Sequence, residues 1–174
     1  MIVLKYLKLS VFLIFLENAS IKYSKVFLLI GLHHKSTKMK TVKVMHFSEL
    51  DNSVSTEEAA KFLSKQGQFE QVDAVNWPHL FSLKPACKFI IARSTSSFFI
   101  HYVVNEKQIK AIYTNDHDPV WQDSCVEFFC QLPGSDTYFN FEFNCIGTCL
   151  ATERKSRTED VNPLSAEKMS QIKR

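Results

Sequence analysis

Trp121 and Glu127 stand six residues apart in the stretch DPVWQDSCVEFFCQL, Asp118 to Leu132. An indole placed just after a proline turn can present a flat apolar face. A carboxylate set among Cys, Val and Phe offers strong acceptors, and hydrogen bonds to charged groups are worth ~1.5–3 kcal/mol each. Asn140, Glu142 and Asn144 recur at every second position of TYFNFEFNC. On a strand, that spacing brings two amides and a second carboxylate to one side. Such a set suits a ligand with an apolar face and a rim of hydroxyls, as a sugar ring has.

Each residue also has a plainer reading. Trp121 could pack in a core, Glu127 could point outward from an edge strand, and the asparagines could simply be solvated. Asp116, Asp118 and Asp123 are close enough in sequence to be weighed as a calcium cluster, but no complete calcium loop surrounds them, and a polar turn is the reading adopted. Glu127 and Glu142 would suit a glycosidase if their carboxyls lay ~5–9 Å apart. A Cys125–His117 nucleophile lacks a visible orienting group.

These side chains need rigid carriers, and the sequence supplies them as strands. TYFNFEFNC alternates with period two: Phe139, Phe141, Phe143 and Cys145 on one side, Asn140, Glu142 and Asn144 on the other. SCVEFFCQL reads as its neighbour, joined by the turn PGSD, and GTCLAT as a further short strand. CKFIIARS and SFFIHYVV are β-branched and aromatic, with Ser94 to Ser97 as a hairpin turn. QIKAIYT, Gln108 to Thr114, is another strand candidate, and Lys40 to Phe47 a short edge strand. NDHDP, Asn115 to Pro119, is a turn, and VNWPHLFSLKPA a loop in which Trp77 is a packing residue. One helix is expected around 55–66, with Ser55 and Glu58 as a capping box, Ala59, Phe62 and Leu63 as its apolar face and Gly67 as its stop.

The ends read differently. Leu7 to Leu16 resembles the apolar core of a secretory signal, without a clean cleavage site. Met39 opens a more ordinary start. Residues 1–38 are therefore read as a doubtful extension, 39–153 as the domain and 154–174 as a basic polar tail in which Ser165 caps a short helix and no strand follows. A start at Met39 implies the cytoplasm, and a true signal implies export. Neither this run nor a second, KVFLLIGL from Lys25 to Leu32, reaches the ~20 residues of a membrane span, so no membrane is expected as a partner of 39–174.

The net charge of +3, with 45% hydrophobic and 22% charged residues, fits an ordinary globular chain and gives no reason to invoke nucleic acid. The 15 phenylalanines suit a sheet-rich core. The five cysteines are an odd number in apolar runs, which reads as free thiols packed as small hydrophobes.

The stretches YTNDHDPVWQDSCVEFF and YFNFEFNCIGT, with VNWP upstream, resemble the family 9 carbohydrate-binding modules, and more closely the family 9-like domain proteins of gut Bacteroidetes. The resemblance runs from about Met39 to Arg174. It implies an antiparallel, jelly-roll-like β-sandwich that binds mono- or oligosaccharide chain ends without catalysis, in the service of polysaccharide breakdown, with no cofactor. It assigns Trp121 as a stacking platform and Glu127 and Asn144 as hydroxyl contacts. Glu142 falls where some relatives carry a basic binding residue, and Asn140 is a lesser candidate. It also implies that the sandwich is incomplete at its C-terminus, because the family's second stacking tryptophan lies in a later segment. A glycosidase and an inert fragment are the alternatives.

Overall fold

The computed structural model describes residues 11–15, 25–27, 41–72, 85–132 and 134–174, the first two segments by their backbone. Trp77 and most of the loop expected around it lie outside these residues. The strands are β1 (Val11–Phe15), β2 (Lys25–Phe27), β3 (Thr41–Lys43), β4 (Met45–His46), β5 (Glu70–Val72), β6 (Ala86–Arg93), β7 (Ser97–Asn105), β8 (Cys125–Cys130), β9 (Tyr138–Asn144), β10 (Cys149–Arg154) and β11 (Asn162–Pro163), and the helices are α1 (Thr56–Gln66) and α2 (Ala166–Ser170). The protein is mostly β, with few helices: two larger antiparallel-rich sheets, of five and four strands, consistent with a β-sandwich, and a two-stranded antiparallel pair of β2 with β3 among the described residues. Two compact units divide the chain, Met1–Lys107 with Lys173–Arg174, and Gln108–Ile172.

The first unit is built on the hairpin β6–β7, closed where the Ser94 N–H donates to the Ser97 carbonyl. β1 pairs antiparallel with β7 on one side. β5 lies antiparallel and β4 parallel along β6 on the other. The apolar run near the N-terminus thus supplies an edge strand over Val11–Phe15. Helix α1 forms because its ends are satisfied locally. The Glu58 N–H donates to Ser55 Oγ at 3.2 Å, and the Ser55 N–H to Glu58 Oε2 at 3.1 Å. Ala59 and Leu63 then pack with Leu50, Ile90, Ala92 and Phe99. Gly67 ends the helix, but with an extended φ of −86° rather than a left-handed one. Glycine is required there by crowding, since a Cβ would stand 2.6 Å from the Leu63 carbonyl oxygen and 2.8 Å from Ile90 Cγ2.

The second unit carries the sheet β11–β10–β9–β8. One face of it is apolar and buried: Val126, Phe128, Phe141, Phe143, Cys149 and Ala151. Phe141 stacks between Phe128 and Phe139, with centroids 6.4 and 6.1 Å away. The alternation read along β9 is present, except that the strand ends at Asn144 and Cys145 belongs to the following turn. Gly147 makes that turn at φ 91°, a left-handed conformation that glycine adopts at little cost.

Two expectations are corrected. Gln108–Thr114 is not a strand, because side chains outcompete a ladder for its backbone. Asp123 Oδ2 accepts the N–H groups of Ile112 and Tyr113 at 3.0 and 3.1 Å, and Ser124 Oγ accepts that of Lys110. The segment after Arg154 is also more ordered than its polar composition implies. A strand does follow, since β11 pairs with β10 through Pro163 and Thr152, and the Leu164 N–H donates to the Ala151 carbonyl. Ser165 caps α2, and Leu164, Met169 and Ile172 are buried.

Candidate functional site

The site residues all fall in the second unit, and strand pairing brings three of them together. β8 and β9 set Glu127 directly opposite Glu142, with Asn140 two positions along β9 on the same face. β10 adds Thr152, opposite Asn140, and Arg154. Asn140 Nδ2 donates to Glu142 Oε1 at 2.6 Å, and Arg154 Nη2 lies 3.7 Å from the same oxygen. Arg154 Nε donates to Thr152 Oγ1 at 2.6 Å. The sequence reading left Thr152 and Arg154 out of the site. The signal was present, because Leu150, Thr152 and Arg154 alternate as Asn140, Glu142 and Asn144 do, one period beyond the strand expected there.

This face is polar but not solvated. Asn140 is 2% and Glu142 5% exposed, whereas Glu127 at the edge strand is exposed. Among the described residues, Glu142 Oε2 and Asn140 Oδ1 have no hydrogen-bond partner. A buried acceptor left unpaired costs about 1–3 kcal/mol. Burial, and then the charge of Glu127 opposite, push Glu142 above the ordinary glutamate range, against the pull of Asn140 and Arg154. Desolvation also raises Glu127, opposed by Arg154 and Arg157. Burial drives the Cys125 thiol far up, and both glutamates reinforce the shift, which favours its protonated form.

Asn144 is also buried, but its polar atoms are already engaged. Nδ2 donates to the Tyr113 carbonyl at 2.8 Å and to Asp123 Oδ2 at 3.1 Å. Its Oδ1 accepts the N–H groups of Ile146 and Thr148. An asparagine has two donor hydrogens and two acceptor sites, and all are used. Asp123 shares the hub: its Oδ2 takes three N–H donors, while Lys110 Nζ lies 4.0 Å from Oδ1.

Trp121 hangs from this hub. It sits in a 3₁₀ turn, Val120–Gln122, held by the Asp123 N–H to Val120 carbonyl bond. Val120 is fully buried beneath it, and Gln122 is tied down by Tyr113 Oη and Lys110 Nζ. The backbone on both sides of the indole is therefore fixed while Trp121 itself is 57% exposed. Asp116 accepts the Cys149 N–H and Asp118 accepts from Asn115, so both carboxylates brace the turn. Among the described residues, no group of three or more His, Cys, Asp or Glu side chains gathers where it could hold a metal ion. None of the helices among these residues is long and apolar enough to cross a membrane.

Residues 57–174 match the family model described as carbohydrate-binding family 9. A crystal structure of a Bacteroides uniformis protein assigned to carbohydrate binding is similar at 32% identity and a TM-score of 0.67, over 75% of this chain. The matched part spans 59% of that protein's length. Comparison with curated proteins finds no match. A family match that covers most of the chain shows that the protein belongs to carbohydrate-binding family 9.

Proposed function

We propose that the second unit binds a neutral carbohydrate, without catalysis, by stacking one sugar ring on Trp121. The observation that carries this reading is the exposed indole on a backbone pinned at both sides. An apolar ring face meets the indole, and its displaced water supplies the driving force. Glu127, exposed at the edge strand, accepts from hydroxyls at the rim. Glu142 and Asn140 set the charge and polarity of the wall behind it. Asn144 acts as a positioning residue, because its Nδ2 bonds hold the loop that carries Trp121 and its Oδ1 bonds hold the turn after β9. The ligand is a mono- or oligosaccharide end, since one turn and one strand edge offer a platform of about one ring.

Calorimetric titration against glucose, galactose, mannose and xylose tests the assignment. Trp121→Ala is expected to weaken the tightest of these at least about tenfold, a loss of ~1.4 kcal/mol. Glu127→Gln is expected to weaken it by a comparable factor, through loss of a charged acceptor. Affinity unchanged by Trp121→Ala would refute the stacking role. Release of reducing sugar from an oligosaccharide by the wild-type protein would refute binding without catalysis.

A further inference from the structure

Glu127 and Glu142 are like charges set directly opposite each other on neighbouring strands. Such a pairing is unfavourable unless a cation offsets it. Arg154, on the next strand, has its guanidinium fixed at two points. Nε donates to Thr152 Oγ1 at 2.6 Å, and Nη2 lies 3.7 Å from Glu142 Oε1. Only 16% of its side chain is exposed, so its charge is weakly screened. A guanidinium also stays charged throughout the range in which carboxyls titrate. The groups around the pair come from three strands. Cys125 lies two residues along β8 on the face of Glu127, and burial pushes its thiol toward the protonated form. Tyr138, on β9, stands opposite Arg154. Arg157, beyond β10, pulls Glu127 toward the charged form together with Arg154, and Arg154 pulls on Glu142 as well. Glu153 and Lys168 pair on the other face of the sheet.

We infer that Arg154 is a positioning residue of the sugar site, whose fixed charge lets Glu127 stand ionised opposite Glu142 and so accept sugar hydroxyls. An ionised acceptor makes a hydrogen bond about twice as strong as a neutral one, so the charge state of Glu127 sets the strength of its contact. Arg154 acts through Glu127 and needs no contact with the sugar. Without the guanidinium, two facing carboxylates lose their shared counter-charge and hold a proton between them up to a higher pH. Sugar affinity then begins to fall at a higher pH as the solution is acidified.

This inference rests on the hydroxyl contact proposed for Glu127, and a readout that needs no sugar separates the two. The experiment follows the Glu127 carboxyl carbon by NMR from about pH 4 to about pH 8 in wild type, Arg154→Ala, Arg154→Lys and Arg154→Ala/Glu142→Gln. Each protein is also titrated calorimetrically over that range with whichever of glucose, galactose, mannose and xylose binds wild type most tightly. Arg154→Ala is expected to raise the Glu127 midpoint by about one pH unit, and Arg154→Lys, which keeps the charge, to recover most of that shift. The double variant loses the facing charge along with its counter-charge and is expected to return towards the wild-type midpoint. Relative to wild type, Arg154→Ala is expected to lose about threefold more affinity at about pH 5.5 than at about pH 8. A Glu127 midpoint unmoved by Arg154→Ala overturns the inference. So does an affinity loss equal at every pH, which a purely structural role would give. If Arg154→Ala fails to fold, Glu142→Gln decides: it is expected to lower the Glu127 midpoint, and an unmoved midpoint overturns the inference. Glu127→Gln binding sugar as tightly as wild type at every pH overturns the hydroxyl contact itself, a failure that the NMR midpoints do not share.

Discussion

Glu142 is held at an electrostatic cost that its pairing only partly offsets. It is buried, faces Glu127 across the ladder, and leaves Oε2 unpartnered. Its proton affinity in the folded state is raised, so the folded protein binds a proton more tightly than the unfolded chain does. The unfolded glutamate ionises first as pH rises, and the folded state then loses relative stability through the window above the ordinary glutamate value. Wild type is therefore expected to melt at a lower temperature at about pH 8 than at about pH 5, and Glu142→Gln to flatten that dependence. Thermal melts across this range, on both proteins, check it; a wild-type profile that rises with pH would contradict it. Asn140, Glu142 and Asn144 were legible as one face because the period of a strand is two. Their burial was not, because it depends on what covers the face.

At the scale of elements, loop 108–124 shows why part of the site escapes a reading of sequence. QIKAIYT has strand composition, yet its N–H groups go to Asp123 and Ser124, ten or more residues downstream. No local pattern encodes that competition. Helix α1 was legible because its capping box is local, and its end at Gly67 was found although the physical reason is crowding against Leu63 and Ile90. Arg154 was missed because strand β10 continues past the point where the composition becomes charged. The Asp123 hub gives the prediction proper to this scale. Asp123→Ala leaves the N–H donors of Ile112 and Tyr113 and one Asn144 donor without their acceptor, at about 1–3 kcal/mol for each that stays buried. The variant is expected to melt lower than wild type and to lose sugar affinity as well, with the 3₁₀ turn no longer anchored. Affinity retained alongside a lowered melting temperature would show that the turn needs no hub.

At the scale of the whole molecule, two compact units divide the chain. The first buries a hairpin under a capped helix, and the second carries every residue named for sugar contact. Family membership, mostly β architecture and free thiols were all legible, because they rest on motifs, alternation and cysteine count. The division into units was not, since it follows from long-range pairing. The central claim, that a sugar ring covers Trp121, is tested most directly by the emission of that indole. The chain has two tryptophans, so Trp77→Phe leaves Trp121 as the sole reporter. Titrated with a sugar that calorimetry shows to bind, its emission is expected to shift to shorter wavelength and its quenching by acrylamide to fall, with the same midpoint as the heat. Emission and quenching that stay constant through saturation would contradict the account.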